Sequence, residues 1–187
     1  MKLLVQCLED LIDDDWKLER SSNRWLVKEL GDKATHNLLE ITGGKSIAFS
    51  LDKSGNKAFP FMCANTPLGG MHSVCDAIVI ALLNGMPFVV MIEMKSTKKG
   101  DAGKQLQRSR VFMDWIVELL RINGHCSAKP KACGVISFKP RQQERKGTTT
   151  HASMPEPGLV DGLPVFQLKN HPRINLVDLV DALKKAA

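Results

Sequence analysis

The spacing of apolar residues predicts three helical regions in this chain. Apolar residues recur at helical spacing over residues 8–30, which indicates one or two helices, the second starting near Arg24 after a Ser-Ser-Asn capping sequence. Residues 102–122 show the same amphipathic pattern, and an Asn-Gly pair follows them. A final helix is expected after Asn175, a residue type that caps helix N-termini well.

Extended segments are predicted between these helices. Residues 37–52 favour a hairpin around Gly43-Gly44, although their first half is also compatible with the end of a helix. Continuous apolar runs flank Asn84-Gly85, a strong hairpin signal, and such runs are typical of strands covered on both faces. The predicted strands are 73–83, 86–95, 132–138 and 163–168, and the predicted loops are 57–72 and 139–162.

The order of these elements predicts an α/β fold. Helix, three strands, long helix, two strands and helix suggest layers around a mixed central sheet. The 187 residues are 43% hydrophobic, which suits one domain with a real core. No apolar run approaches the roughly 18 residues that cross a bilayer. Acidic residues from Glu9 onward argue against a signal peptide and favour an amphipathic first helix.

Cysteine usage favours a reducing, cytoplasmic compartment. The five cysteines are widely spaced, odd in number and contain no Cys-x-x-Cys pair. Neither a zinc site nor a disulfide framework is therefore expected. Cys75 and Cys133 stand inside apolar runs and are predicted to be small core residues.

Positive charge is concentrated in one part of the chain. Residues 94–146 carry 13 Lys and Arg against 4 Asp and Glu, whereas the remainder carries 13 against 16. A concentrated basic surface favours a polyanion such as nucleic acid. Candidate phosphate contacts are Lys98, Lys99, Lys104 and Arg108, although a solvated surface explains any single one of them equally well.

Three charged residues stand in strands that are otherwise apolar. Period two places Glu93 and Lys95 on one face of their strand. Asp76 lies about eight residues before the Asn84-Gly85 turn and Glu93 about eight after it, so hairpin pairing brings the two carboxylates together.

Two adjacent buried carboxylates are costly without a cation. Mg²⁺ or Mn²⁺ would relieve that cost, with Asp76 and Glu93 as ligands and the Met94 carbonyl as a third. Lys95 could orient or deprotonate a water, or stabilise charge on a phosphate. The alternative is a structural ion pair between Lys95 and a carboxylate at the strand end.

The aspartate, followed after 16 residues by Glu93-Met94-Lys95 and then by a helix, resembles the PD-(D/E)xK nuclease superfamily. The order of elements from about residue 22 to 138 also resembles its common core. The resemblance implies a restriction-endonuclease-like three-layer sandwich with a mixed central sheet flanked by helices. Residues 1–187 would form a single nuclease domain, with a C-terminal strand and helix in 163–187.

The resemblance also assigns roles to residues. It implies metal ligation by Asp76 and Glu93 and catalysis by Lys95. Some members carry a glutamine on the following helix, which Gln105 matches best and Gln107 less well.

This chain departs from the family pattern at two positions. The tyrosine that usually follows the glutamine four residues later is Ser109 here, and the chain contains no tyrosine. The usual proline before the aspartate is Cys75. Many members have a glutamate on the first core helix, for which Glu29 and Glu40 are alternatives.

The resulting hypothesis is a Mg²⁺- or Mn²⁺-dependent nuclease that hydrolyses phosphodiester bonds, with DNA as the first expected substrate. The alternatives are a non-catalytic nucleic-acid-binding or assembly subunit of the same fold, and an RNA-directed nuclease. A homodimer or a larger nuclease complex is a reasonable expectation, since small members often pair to cut two strands.

Overall fold

The computed structural model describes residues 2–28, 38–52, 69–95, 100–138 and 154–186. This part of the chain is an α/β structure with two mixed sheets and three α-helices. The helices are α1 (Leu4–Leu11), α2 (Ala102–Ile122) and α3 (Leu176–Lys185). The strands are β1 (Glu19–Ser21), β2 (Arg24–Lys28), β3 (Leu38–Thr42), β4 (Lys45–Phe49), β5 (Ala77–Leu83), β6 (Met86–Lys95), β7 (Lys131–Phe138), β8 (Gly158–Val160), β9 (Leu163–Lys169) and β10 (Arg173–Asn175).

The central sheet has the strand order β4-β5-β6-β7-β9-β8. Strands β6, β7 and β9 run parallel, and the other neighbours are antiparallel. The hairpin of β5 and β6 closes at the Leu83–Met86 pair, with positive φ at Asn84 (51°) and Gly85 (75°). Two positive φ angles are what a tight type I′ turn requires, so the predicted hairpin is confirmed.

A second sheet, which the sequence pattern did not predict, has the order β1-β2-β3-β10. Its last pairing is parallel and joins β3 to β10, which follows it by more than 130 residues. The Trp25 indole donates a hydrogen bond of 3.0 Å to Ser46 Oγ on β4 and so links the two sheets.

Two apolar cores lie on opposite faces of the central sheet. Helices α1 and α2 cover one face, where Ile78, Ile80 and Met91 are buried. The second sheet and α3 cover the other face, where Val79 and Val90 are buried. Because both faces are covered, β5 and β6 are apolar along almost their whole length.

The helix predicted to start near Arg24 is wrong. This segment is β2, paired with β1 around a turn in which Ser22 has a φ of 56°. Trp25 and Val27 are buried and their neighbours are more exposed, which is the alternation of a strand. The apolar residues here fit both periods, and packing on the second sheet decides between them.

The hairpin predicted around Gly43-Gly44 is also wrong, although both strands exist. Strand β3 joins the second sheet and β4 the central sheet, so the two glycines carry the chain from one sheet to the other. Gly44 has a φ of +72°, and a Cβ there would lie 2.5 Å from Leu83 Cδ2. The glycine therefore serves a close crossing between layers.

The remaining elements largely follow the sequence. The N-terminal helix, α2, β7, β9 and the final helix are confirmed, and Asn175 Oδ1 accepts a hydrogen bond of 3.0 Å from the Val177 amide as the predicted cap. Strand β9 is not the last strand, because β10 follows it. The predicted loop 139–162 contains β8, while its residues 139–153 lie outside the described residues, as does most of the predicted loop 57–72. Cys75 and Cys133 are fully buried, as predicted.

Candidate metal and catalytic site

Glu93 and Lys95 lie at the end of β6, on the face of the central sheet that α2 covers. Their neighbours Ile92 and Met94 belong to the opposite core, whereas Met91 packs on the α2 side, as the period-two pattern predicts. The Glu93 side chain is 1% exposed and that of Lys95 is 26% exposed. A carboxylate is thus buried in the sheet beside an ammonium group that reaches its rim.

Asp76 lies directly before β5, opposite the end of β6, so the strand predicted over 73–83 is wrong in its first four residues. The Met94 amide donates a hydrogen bond of 2.5 Å to Asp76 Oδ2. The ladder between β5 and β6 extends to the pair Ala77–Ile92, so Asp76 and Glu93 are the next residues beyond it. The hairpin register therefore brings the two carboxylates together.

A network of side chains connects β6 to α2. Lys95 Nζ forms an ion pair with Glu93 Oε1 and donates a hydrogen bond of 3.0 Å to Gln105 Oε1. Gln105 Nε2 in turn donates to the Val74 carbonyl at 3.1 Å. Gln105 thus contacts both the lysine and the chain that leads to Asp76.

From sequence, Ser109 is notable only because it stands where the resembling family usually has a tyrosine. It is fully buried, and its hydroxyl lies between Gln105 and Cys75. The signal that could have identified it is its position, since it is the polar member of the apolar face of α2.

The electrostatic environment of Glu93 disfavours its charge. Burial raises the pKa of Glu93 to about 8, and the nearby charge of Asp76 acts in the same direction. The ion pair with Lys95 acts in the opposite direction but does not cancel the shift. Burial and the neighbouring carboxylate therefore outweigh the ion pair with Lys95 at Glu93.

The unsatisfied atom of this site is Glu93 Oε2. It is buried and has no hydrogen-bond partner among the described residues. Buried acceptors are nearly always paired, so such an oxygen next to a second carboxylate fits a hard divalent cation. No group of three or more His, Cys, Asp or Glu that could hold a metal occurs in the described ranges. The donors here would therefore be two carboxylates and a backbone carbonyl, such as the one predicted at Met94.

Two predicted candidates lie elsewhere. Residues 38–42 form a strand of the second sheet, so the helical alternative for Glu40 is wrong. Its carboxylate pairs with Arg24 (3.0 Å) and Arg173 (2.7 Å), which lower the pKa of Glu40. Gln107 Nε2 donates to the Val160 carbonyl at 2.5 Å and thus ties α2 to β8. Glu29 lies outside the described residues.

Two of the four predicted phosphate contacts flank this site on α2. Lys104 is exposed and pairs with Asp101 at 3.2 Å. Arg108 Nη1 donates to the Ser73 carbonyl at 3.2 Å, three residues before Asp76. Lys98 and Lys99 lie outside the described residues. Basic side chains therefore stand within one helical turn of Gln105.

No protein-family model, curated protein or solved structure matches this chain. In the described ranges, no helix is both long enough and apolar enough to cross a bilayer.

Proposed function

We propose that this protein is a Mg²⁺- or Mn²⁺-dependent nuclease of the restriction-endonuclease-like fold, acting on DNA. The observation that carries the proposal is the buried Glu93 Oε2, which has no hydrogen-bond partner within the described ranges and lies beside Asp76 and Lys95. Asp76 places a second carboxylate beside that oxygen. Two adjacent carboxylates at a buried position favour a cation over a purely structural ion pair.

The chain's own residues suit phosphodiester hydrolysis. Asp76 and Glu93 would hold the cation, with the Met94 carbonyl as a further donor. When bound, Mg²⁺ or Mn²⁺ supplies Lewis-acid stabilisation of charge on the phosphate. Lys95 is oriented by Glu93 and Gln105, so its ammonium group can stabilise negative charge on a phosphate oxygen without first being ordered.

The proposal is tested by cleavage of plasmid and linear DNA in Mg²⁺ or Mn²⁺. Replacing Asp76, Glu93 or Lys95 by alanine should each lower the rate by about 100-fold or more, because electrostatic contacts of this kind typically contribute that much. The matched control is Glu40→Ala, which removes a strand carboxylate of the second sheet and should leave the rate within about twofold. Metal-dependent cleavage that survives all three site substitutions would refute the assignment.

A non-catalytic nucleic-acid-binding or assembly subunit is the second candidate. The observation that favours it is the lack of a third acidic or histidine ligand near Asp76 in the described part of the chain. This alternative predicts binding to DNA or RNA that EDTA does not change, without cleavage of either. An RNA substrate in the same assay distinguishes the RNA-directed nuclease.

A further inference from the structure

The buried face of α2 carries a hydroxyl group where the helix passes the start of β5. Ser109 is the polar residue of that face, and its side chain is fully buried. A buried hydroxyl costs free energy unless it is hydrogen-bonded, so its partners indicate what it does. The apolar members of the same face are Ala102, Leu106, Met113, Ile116 and Leu120.

The hydrogen bonds of Ser109 have a defined direction. The hydroxyl donates to the Gln105 carbonyl at 3.0 Å, a bond to the preceding turn that helical serines often form. The same oxygen accepts the Cys75 amide at 2.9 Å. Because its proton is used within the helix, the hydroxyl acts as an acceptor towards Cys75.

Two side chains of α2 hold the same peptide group. Gln105 Nε2 donates to the Val74 carbonyl, and Ser109 Oγ accepts from the Cys75 amide. These two backbone groups belong to the single peptide unit between Val74 and Cys75. Since a peptide unit is planar, binding both of its polar groups fixes its orientation and thus the direction in which the chain reaches Asp76.

We propose that Ser109 is a positioning residue, which together with Gln105 clamps the Val74–Cys75 peptide and so holds the Asp76 carboxylate against Glu93. We expect this positioning to raise the affinity of the site for a divalent cation, and that expectation rests on the proposed function. Groups that hold metal ligands in place typically contribute tenfold or more to metal affinity.

The first test measures Mn²⁺ binding by electron paramagnetic resonance in the whole chain. Ser109→Ala should raise the Kd about tenfold. The matched control is Ser46→Ala, which also removes a serine acceptor, here for the Trp25 indole at 3.0 Å. Ser46 pairs with Ala81, five residues along β5 from Asp76, so its loss should change the Kd by less than about twofold.

A second variant separates positioning from stability. Ser109→Thr keeps the hydroxyl on the same carbon and adds a methyl group to a filled core, so it should lower Tm while the Kd stays near that of the wild type. A rise in Kd that merely follows the loss of Tm across both Ser109 variants would overturn the inference.

The third measurement needs no metal. Hydrogen exchange in EDTA should accelerate at the Cys75 amide in Ser109→Ala, and also at the Met94 amide, which donates to Asp76. Faster exchange at Cys75 alone would show a local structural role and overturn the inference.

The two proposals fail in different ways. A wild-type protein that neither binds Mn²⁺ nor cleaves DNA refutes the proposed function, while the exchange of the Met94 amide still decides whether Ser109 positions Asp76. If the wild type and Ser109→Ala bind Mn²⁺ with the same Kd, only the role of Ser109 is refuted.

Discussion

Two strand-borne glutamates of this protein show opposite electrostatic environments. Glu40 on the second sheet has two arginines for one carboxylate, and its side chain is 24% exposed. Glu93 on the central sheet pairs with Lys95, lies beside Asp76, and its side chain is 1% exposed. The pKa of Glu40 is lowered by its arginines, whereas burial and Asp76 raise that of Glu93. The comparison teaches that burial and neighbouring charge, not the presence of an ion pair, distinguish the proposed cation site from a structural bridge.

A surface groove is not a good guide to the proposed metal site in this protein. A surface groove of about 1460 Å³ lies beside Glu40, between the second sheet and α3. It is lined by charged side chains such as Arg24 and Arg173, which already pair with Glu40. In the part of the chain that the structure describes, the buried side-chain oxygen without a hydrogen-bond partner is Glu93 Oε2, where we propose the metal chemistry.

The largest expected contrast concerns stability against pH in EDTA. The pKa of Glu93 rises from 4.5 to about 8 on folding, so the folded state binds this proton more tightly than the unfolded state does. The free energy of unfolding therefore falls as pH rises from about 4.5 to 8. The loss should be on the order of 5 kcal/mol. The pKa of Glu40 is lowered from 4.5 on folding. Its ion pairs therefore contribute to the free energy of unfolding above about pH 4.5, and this contribution is lost as pH falls.

Chemical denaturation from pH 4 to 8.5 checks this contrast in the wild type, Glu93→Gln and Glu40→Gln. Glu93→Gln should remove the loss on the alkaline side, and Glu40→Gln should reduce only the loss on the acid side. If the free energy of unfolding of the wild type and of Glu93→Gln changed in parallel above pH 5, the raised pKa of Glu93 would be contradicted.

A somewhat smaller effect is expected from divalent cations. Mg²⁺ or Mn²⁺ at about 100 times its Kd should stabilise the wild type by about 2.7 kcal/mol at pH 8, because it binds only the folded state. Glu93→Gln should lose this stabilisation and Glu40→Gln should keep it. Differential scanning calorimetry with Mn²⁺ or EDTA measures the shift, and an equal shift in both variants would place the cation elsewhere.

The smallest expected effect is on the salt dependence of DNA binding. Lys104 and Arg108 flank the candidate site, so each alanine substitution should reduce the slope of log K against log salt by about 1. Lys169→Ala and Lys185→Ala, beside the groove at the second sheet, are the controls and should leave the slope unchanged. Fluorescence anisotropy gives the slopes, measured in buffer with EDTA so that the DNA is not cleaved. A larger change of slope in the control variants would contradict this prediction and would indicate that nucleic acid binds beside the second sheet.

The parts of the fold that were predictable from sequence are those with strong local signals. Asn84-Gly85 has two positive φ angles, and this tight turn pairs the apolar runs on either side of it. The hairpin register follows, and with it the neighbourhood of Asp76 and Glu93. The helical period of α2 likewise places Gln105 one turn into the helix that covers this hairpin.

The parts that were not predictable depend on distant partners. Trp25 and Val27 fit a helix or a strand, and the second sheet decides. Leu38–Thr42 is a strand whose neighbour β10 follows by more than 130 residues. Ser109 gives no local sign of its partner, because Cys75 lies 34 residues away.

By itself, the sequence therefore determined the β5–β6 hairpin, the long helix after it, and the two carboxylates and lysine at the hairpin's open end. Turn angles and periodicity act over a few residues, so they can be read directly from the chain. The tertiary structure decided that Gly43-Gly44 separates two sheets, that Glu40 belongs to a structural arginine cluster, and that Ser109 and Gln105 hold one peptide beside Asp76. Each of these outcomes depends on which distant groups satisfy a buried polar atom or cover an apolar face, and only the folded chain brings those groups together.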